Sequence, residues 1–80
     1  MDMNDLKWFK DTVNMGDDIV FTIGQKQFWI GTADGGKHII AQSPDGPDTF
    51  FKNADDLLHN FIIDNMPLGK QLDKIIFINA

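Results

Sequence analysis

"DIVFTIGQKQFWIG", residues 18–31, alternates apolar and polar side chains on both sides of a glycine, and the way it pairs decides the fold. Ile19, Phe21 and Ile23 fall on one side of an extended chain and Val20 and Thr22 on the other, which is the period of two that a strand imposes. A two-residue turn at Gly24 and Gln25 sets Phe21 opposite Phe28 and Ile19 opposite Ile30. Ile19, Phe21, Ile23, Phe28 and Ile30 then share one face, and Trp29 falls on the other, opposite Val20.

Upstream, "MNDLKWFKDTVNM", residues 3–15, changes period. Leu6, Phe9 and Val13 keep helical spacing, with Asp2 or Asn4 as the cap and Gly16 as the stop, so one amphipathic helix opens the chain. Trp8 and Met15 fall almost opposite that stripe, with Thr12 beside them, and give the helix a second, smaller apolar side.

Downstream, "GTADGGKH", residues 31–38, fits the phosphate-cradling loop up to its last position, where His38 replaces Ser or Thr. Such a loop must lead from a strand into a helix, whose free N–H groups hold the phosphate. Here "HIIAQSP" follows, β-branched, alternating and stopped by Pro44. Asp34, Gly35 and Gly36 therefore read as a hairpin turn using positive φ, and the length of that turn leaves open which of Ile39 and Ile40 faces the core. "SPDGPD", residues 43–48, is a further turn, and "TFFK" a fourth strand or an edge.

"NADDLLHNFII", residues 53–63, is the clearest helix. Asn53 caps it, Asp55 and Asp56 occupy the first turn where the dipole favours anions, and Ala54, Leu57, Leu58, Phe61 and Ile62 share an arc that should lie across the sheet. "DNMP" breaks it, and Pro67, Leu68, Leu72, Ile75 and Ile76 suit a short second helix. "IIFINA" fits a strand equally well, and the apolar run Ile75 to Ile78 calls for pairing, in the same sheet by preference or with another chain. The order predicts a single α+β domain over 1–80: an N-terminal helix, an antiparallel meander of three to four strands, and one or two C-terminal helices.

Eighty residues with 42% hydrophobic content and seven Phe can fill one core, and a net charge of −5 makes the chain acidic. All twelve acids are Asp, all seven bases are Lys, and Arg and Cys do not occur. Without Arg there is no bidentate grip on phosphate or guanine, and the net negative charge repels a nucleic-acid backbone, so direct nucleic-acid binding is disfavoured. The lack of Cys removes disulfides and thiolate metal sites. No run approaches the roughly 18 apolar residues of a membrane span, and the reading is a soluble cytoplasmic protein.

At "DDLLHNFIIDNMPLGKQL", with residues 56–72 as its core, the chain resembles the C-terminal part of small bacterial and phage-type proteins whose activity is undefined. In these a meander precedes a helix ending in L-L-x-x-F-x-I, then D-G or D-N, then P-L. Leu57, Leu58, Phe61, Ile63, Asp64, Asn65, Pro67 and Leu68 fit that pattern. They are core and turn residues, so the resemblance implies a fold and no activity.

No catalytic, cofactor-binding or metal-ligating residue stands out. His38 and His59 are the only histidines, and zinc would have to recruit both together with an Asp. Asp17 with Asp18, Asp45 with Asp48, and Asp55 with Asp56 stand where caps and turns want Asp. Ser43, the only serine, has no Gly-flanked elbow. Trp8, Met15 and Trp29 are the candidate interaction surface, because large side chains off the main core face are what interfaces use. The competing reading folds the first helix over the second sheet face and buries Trp29. The expected function is a non-catalytic acidic protein-interaction module, inhibitor or immunity-like, with a protein partner or a homo-oligomer and no cofactor. The alternatives are a nucleic-acid mimic or restriction-type antagonist, and a small-ligand enzyme.

Overall fold

A computed structural model describes residues 3–79, with side chains placed for 6–33 and 35–78. The hairpin forms as its pattern requires. Strand β1 (Ile19–Ile23) pairs antiparallel with β2 (Lys26–Ala33), setting Phe21 opposite Phe28, Ile19 opposite Ile30 and Val20 opposite Trp29. Gly24 takes the positive φ of the turn between them.

Residues Asp34–Gly36 make a 3-10 turn with Gly35 at φ 69 and Gly36 at φ 92, which L side chains rarely adopt. This turn returns the chain into β3 (His38–Gln42), and no helix follows the Gly-Gly-Lys sequence. Because Ala33 pairs with His38, Ile39 and Ala41 face the core and Ile40 faces away. Strand β4 (Thr49–Phe51) adds the outer edge beside β3.

Helices α1 (Met3–Asn14) and α2 (Ala54–Asn60) lie side by side on one face of the sheet. Phe9 and Val13 of α1 and Ala54, Leu57 and Leu58 of α2 are buried with Ile19, Phe21, Phe28 and Ile30 in one core. The expected caps of α1, Asp2 and the Asn4 side chain, lie outside the described residues. Thr12 is buried rather than part of an outer apolar side. It stands about 60° from Phe9 around the helix, close enough to the core stripe to be covered.

Helix α2 is shorter than its apolar arc. It ends at Asn60, Phe61 already has extended backbone, and Ile62–Ile63 (β5) pair with Met66–Pro67 (β6) across a turn where Asp64 and Asn65 both take positive φ. The period changes from 3.6 to two at that point, so Ile63 is buried while Ile62, expected in the core, is 53% exposed. Pro67 starts no α-helix; Leu68–Lys70 and Leu72–Lys74 form two 3-10 turns instead. Gln71 between them is buried, and its Nε2 donates to the carbonyls of Ile63 and Met66, both at 2.9 Å, which ties the small hairpin down.

The tail resolves as a strand, β7 (Ile75–Asn79), which pairs antiparallel with β1 and places Phe77 beside Phe21. The sheet is thus five-stranded in the order β4-β3-β2-β1-β7, one strand more than the meander predicted from sequence, and the fold is α+β. Among the described residues no helix is long and apolar enough to cross a membrane.

Candidate functional site

Both helices cover the same side of the sheet, so the other side is left open. Strand alternation and the observed registers place Val20, Thr22, Gln27, Trp29, Gly31, Ala33, His38, Ile40, Gln42, Phe50, Ile76 and Ile78 on it. Among the described residues no helix packs over them. Phe50 is 56% exposed, Ile76 66% and Ile78 57%, while Val20, Trp29 and Ile40 are half-buried by their neighbours in the sheet.

Charge is distributed with equal asymmetry. No Asp or Lys occupies any strand position on this face; the one lysine in the pairs of the first hairpin, Lys26, projects to the helix side. There its Nζ lies 2.7 Å from Asp45 and 3.1 Å from Asp64, and these two carboxylates raise its pKa above the ordinary lysine value, Asp45 contributing most. Lys7 pairs with Asp11 at 2.9 Å and Lys10 with Asp55 at 2.9 Å. The acids stand on helices and loops, and two of them reach the open face from its loops: Asp18, just before β1, sets its carboxylate against Gly31, and Asp48 accepts from Gln42 Nε2 at 3.5 Å.

Trp29 lies along this face. A Cβ built on Gly31 would come within 2.2 Å of Trp29 Cζ2 and 2.5 Å of Cη2, so the indole rests on the glycine backbone. The absence of a side chain at 31 is what allows the ring to lie flat, and the Asp18 carboxylate closes on the same glycine, 2.9 Å from where a Cβ would stand.

The three residues nominated from sequence do not converge. Trp29 belongs to the open face. Trp8 is on α1 at the helix side, 41% exposed, with its ring edge-on to Phe77 at 5.1 Å. Met15, 70% exposed, follows the C-terminus of α1. The first helix does not fold over the second face, so Trp29 is not covered by it. The sequence reading missed Phe50, Ile40, Ile76 and Ile78, although period two in "HIIAQ", "TFF" and "IIFIN" would have aligned them with Trp29 once β4 and β7 were placed in the sheet.

Elsewhere the polar groups are used structurally. Asn53 accepts from the Asp56 backbone N–H, the Asp56 carboxylate accepts from the backbone N–H of Lys52 at 2.9 Å, and Asn14 at the end of α1 accepts from the N–H of Ala54. His59 places Nδ1 2.7 Å from the backbone carbonyl of Asp55, while the Asp55 carboxylate is taken by Lys10. Ser43 Oγ accepts from the N–H of Asp45 within its own turn. Among the described residues no three His or Asp side chains gather as metal ligands. A cleft of about 270 Å³ lies between α1, α2 and the turn after β6, lined by Leu6, Lys10, Leu58, Pro67, Lys70 and Leu72 among others. Its wall is mainly aliphatic, and one of its lysines is already paired with Asp55. The chain matches no protein-family model, no curated protein and no solved structure.

Proposed function

We propose that this protein is a non-catalytic, acidic protein-interaction module working in the cytoplasm, and that the open sheet face is its contact surface. One observation carries the reading: an open sheet face with large exposed apolar side chains at both edges, Phe50 at one and Ile76 and Ile78 at the other, has no helix packed on it among the described residues. Soluble domains rarely leave more than a few hundred Å² of contiguous apolar surface exposed unless a partner covers it. Small size and acidity fit an inhibitor or immunity-like accessory. Exposed Lys–Asp pairing speaks against a mimic of nucleic acid, which needs a dense one-sided array of unpaired carboxylates.

A photo-reactive residue introduced at position 50, on the open face, is the test, with position 59 on the outer side of α2 as control. Irradiation in extract of the native cells should give covalent protein adducts from position 50 and few from position 59. Equal yields, or none from position 50, would remove the sheet face as the contact surface.

A further inference from the structure

On the helix side of the molecule, away from the open sheet face, lies the cleft between α1, α2 and the turn after β6. We infer that it binds a small free carboxylate carried on an aliphatic chain, about six to eight carbons in all.

The cleft has three fixed walls. Asn14 of α1 accepts from the N–H of Ala54 and Lys10 pairs with Asp55 at 2.9 Å, so α1 and α2 run antiparallel and the ion pair closes one end. Leu6 and Leu58 line the space about one helical turn further on. The third wall is the chain from Pro67 to Leu72, and it sits tight on α2: a Cβ added at Gly69 would stand 3.0 Å from the carbonyl oxygen of Leu58. Leu68 and Leu72 are buried, and the Gln71 amide donates to the carbonyls of Ile63 and Met66, which anchors this wall. A site formed in advance gives up little freedom when it is filled.

Charge selects the head of the ligand. The lining sets Lys10 and Lys70 against Asp55, which leaves a positive excess on a chain whose net charge is −5. Asp55 takes one donor of Lys10, and among the described residues Lys70 forms no ion pair. His59 keeps Nδ1 on the Asp55 carbonyl at 2.7 Å and brings no negative charge. A single carboxylate balances the excess. A phosphate dianion exceeds it and finds no Arg fork to grip it.

The walls select the tail. The side chains of Leu6, Leu58, Pro67 and Leu72 offer no hydrogen-bond partner, so what lies against them must be hydrocarbon. At roughly 30 Å³ per water-sized group, a volume of about 270 Å³ holds about nine non-hydrogen atoms, and a short fatty acid fills it.

NMR titration of the isotope-labelled full chain with butanoate, hexanoate, octanoate and decanoate tests this, with octanamide and octylamine as neutral and cationic controls of equal length. Resonances of Leu6, Leu58, Lys70 and Leu72 should shift saturably while those of Trp29 and Phe50 stay in place. Affinity should rise roughly fourfold per methylene from butanoate, as burial of each CH₂ requires, and level off at octanoate where the cleft is full. Both controls should bind roughly tenfold or more weakly, and Lys70→Gln should weaken octanoate by a similar factor while keeping the circular dichroism of the wild type. Should that variant not fold, the difference between octanoate and octanamide on the wild-type protein decides. Absence of a saturable shift, equal binding of octanamide, or shifts centred on Trp29 and Phe50 would overturn the site.

Discussion

Trp29 and Gly31 occupy alternate positions of β2 and point to the same side, so the width of the indole is accommodated only because position 31 has no Cβ. Gly31→Ala must lift the ring off the sheet, and such overpacking costs about 1–3 kcal/mol. Denaturation by guanidinium reads that cost, and a Trp8→Phe background assigns any accompanying change in emission to Trp29; an unchanged midpoint would mean that the ring moves aside freely. The opposite side of the same strand behaves as a packed interior. Phe28 is stacked on Phe21 at 5.4 Å and meets Phe61 edge-on at 6.0 Å. Phe28→Ala should cost about 3–5 kcal/mol, a large share of the stability of a domain this small, and a melting temperature within a couple of degrees of wild type would place Phe28 outside the core. Phe28 was legible from alternation and turn alone. The resting place of the Trp29 ring was not, because periodicity assigns a side chain to a face and says nothing of the direction in which it then lies down.

At the scale of elements, the N-terminus of α2 joins local capping to pH dependence. Asp56 sits in the first turn, accepts from the Lys52 backbone N–H and from Asn60 Nδ2, and these bonds hold its pKa below the ordinary carboxylate value, the backbone bond contributing most. A depressed folded-state pKa means stability that is fully present above the unfolded value of about 3.9 and lost as pH falls through the lower folded value. Asp56→Asn should therefore melt below wild type at neutral pH, with the difference closing as both are taken to pH about 2. A constant difference across that range would show that the carboxylate's charge contributes nothing. Asn53, Asp55 and Asp56 were readable as cap and first turn because helix-start chemistry is local. The end of α2 was not, since Ile62 and Ile63 continue an apolar run that serves a helix or a strand. What ends the helix is the turn at Asp64 and Asn65 together with Gln71, a polar residue eight positions past Ile63 whose burial depends on where the later turns fold. The tail had the same ambiguity, and β7 was settled by a partner, β1, far away in sequence.

The molecule as a whole divides its apolar residues between two sides of one sheet, and the side covered by α1 is what the sequence left open. Both sides of the first hairpin look apolar on paper, Phe21 and Phe28 on one and Val20 and Trp29 on the other. The choice rests on contacts between distant parts of the chain: Phe77 of β7 meets Phe9 at 6.2 Å and the edge of Trp8 at 5.1 Å, and Asn14 reaches the N–H of Ala54. Trp8 is therefore half-exposed yet engaged with the core, and it should couple energetically to Phe77. A double-mutant cycle of Trp8→Ala and Phe77→Ala should give a coupling of about 0.5–1.5 kcal/mol, the range for an edge-to-face aromatic pair. A parallel cycle of Trp8→Ala with Phe50→Lys, measured in dilute solution, should be additive within about 0.5 kcal/mol, because the sheet lies between them and they share no neighbour. Absence of coupling to Phe77 would detach Trp8 from β7 and return it to the pool of contact residues. Strong coupling to Phe50 would mean that the two sides act as one surface, and the division of labour between a packed face and an open one would fail with it.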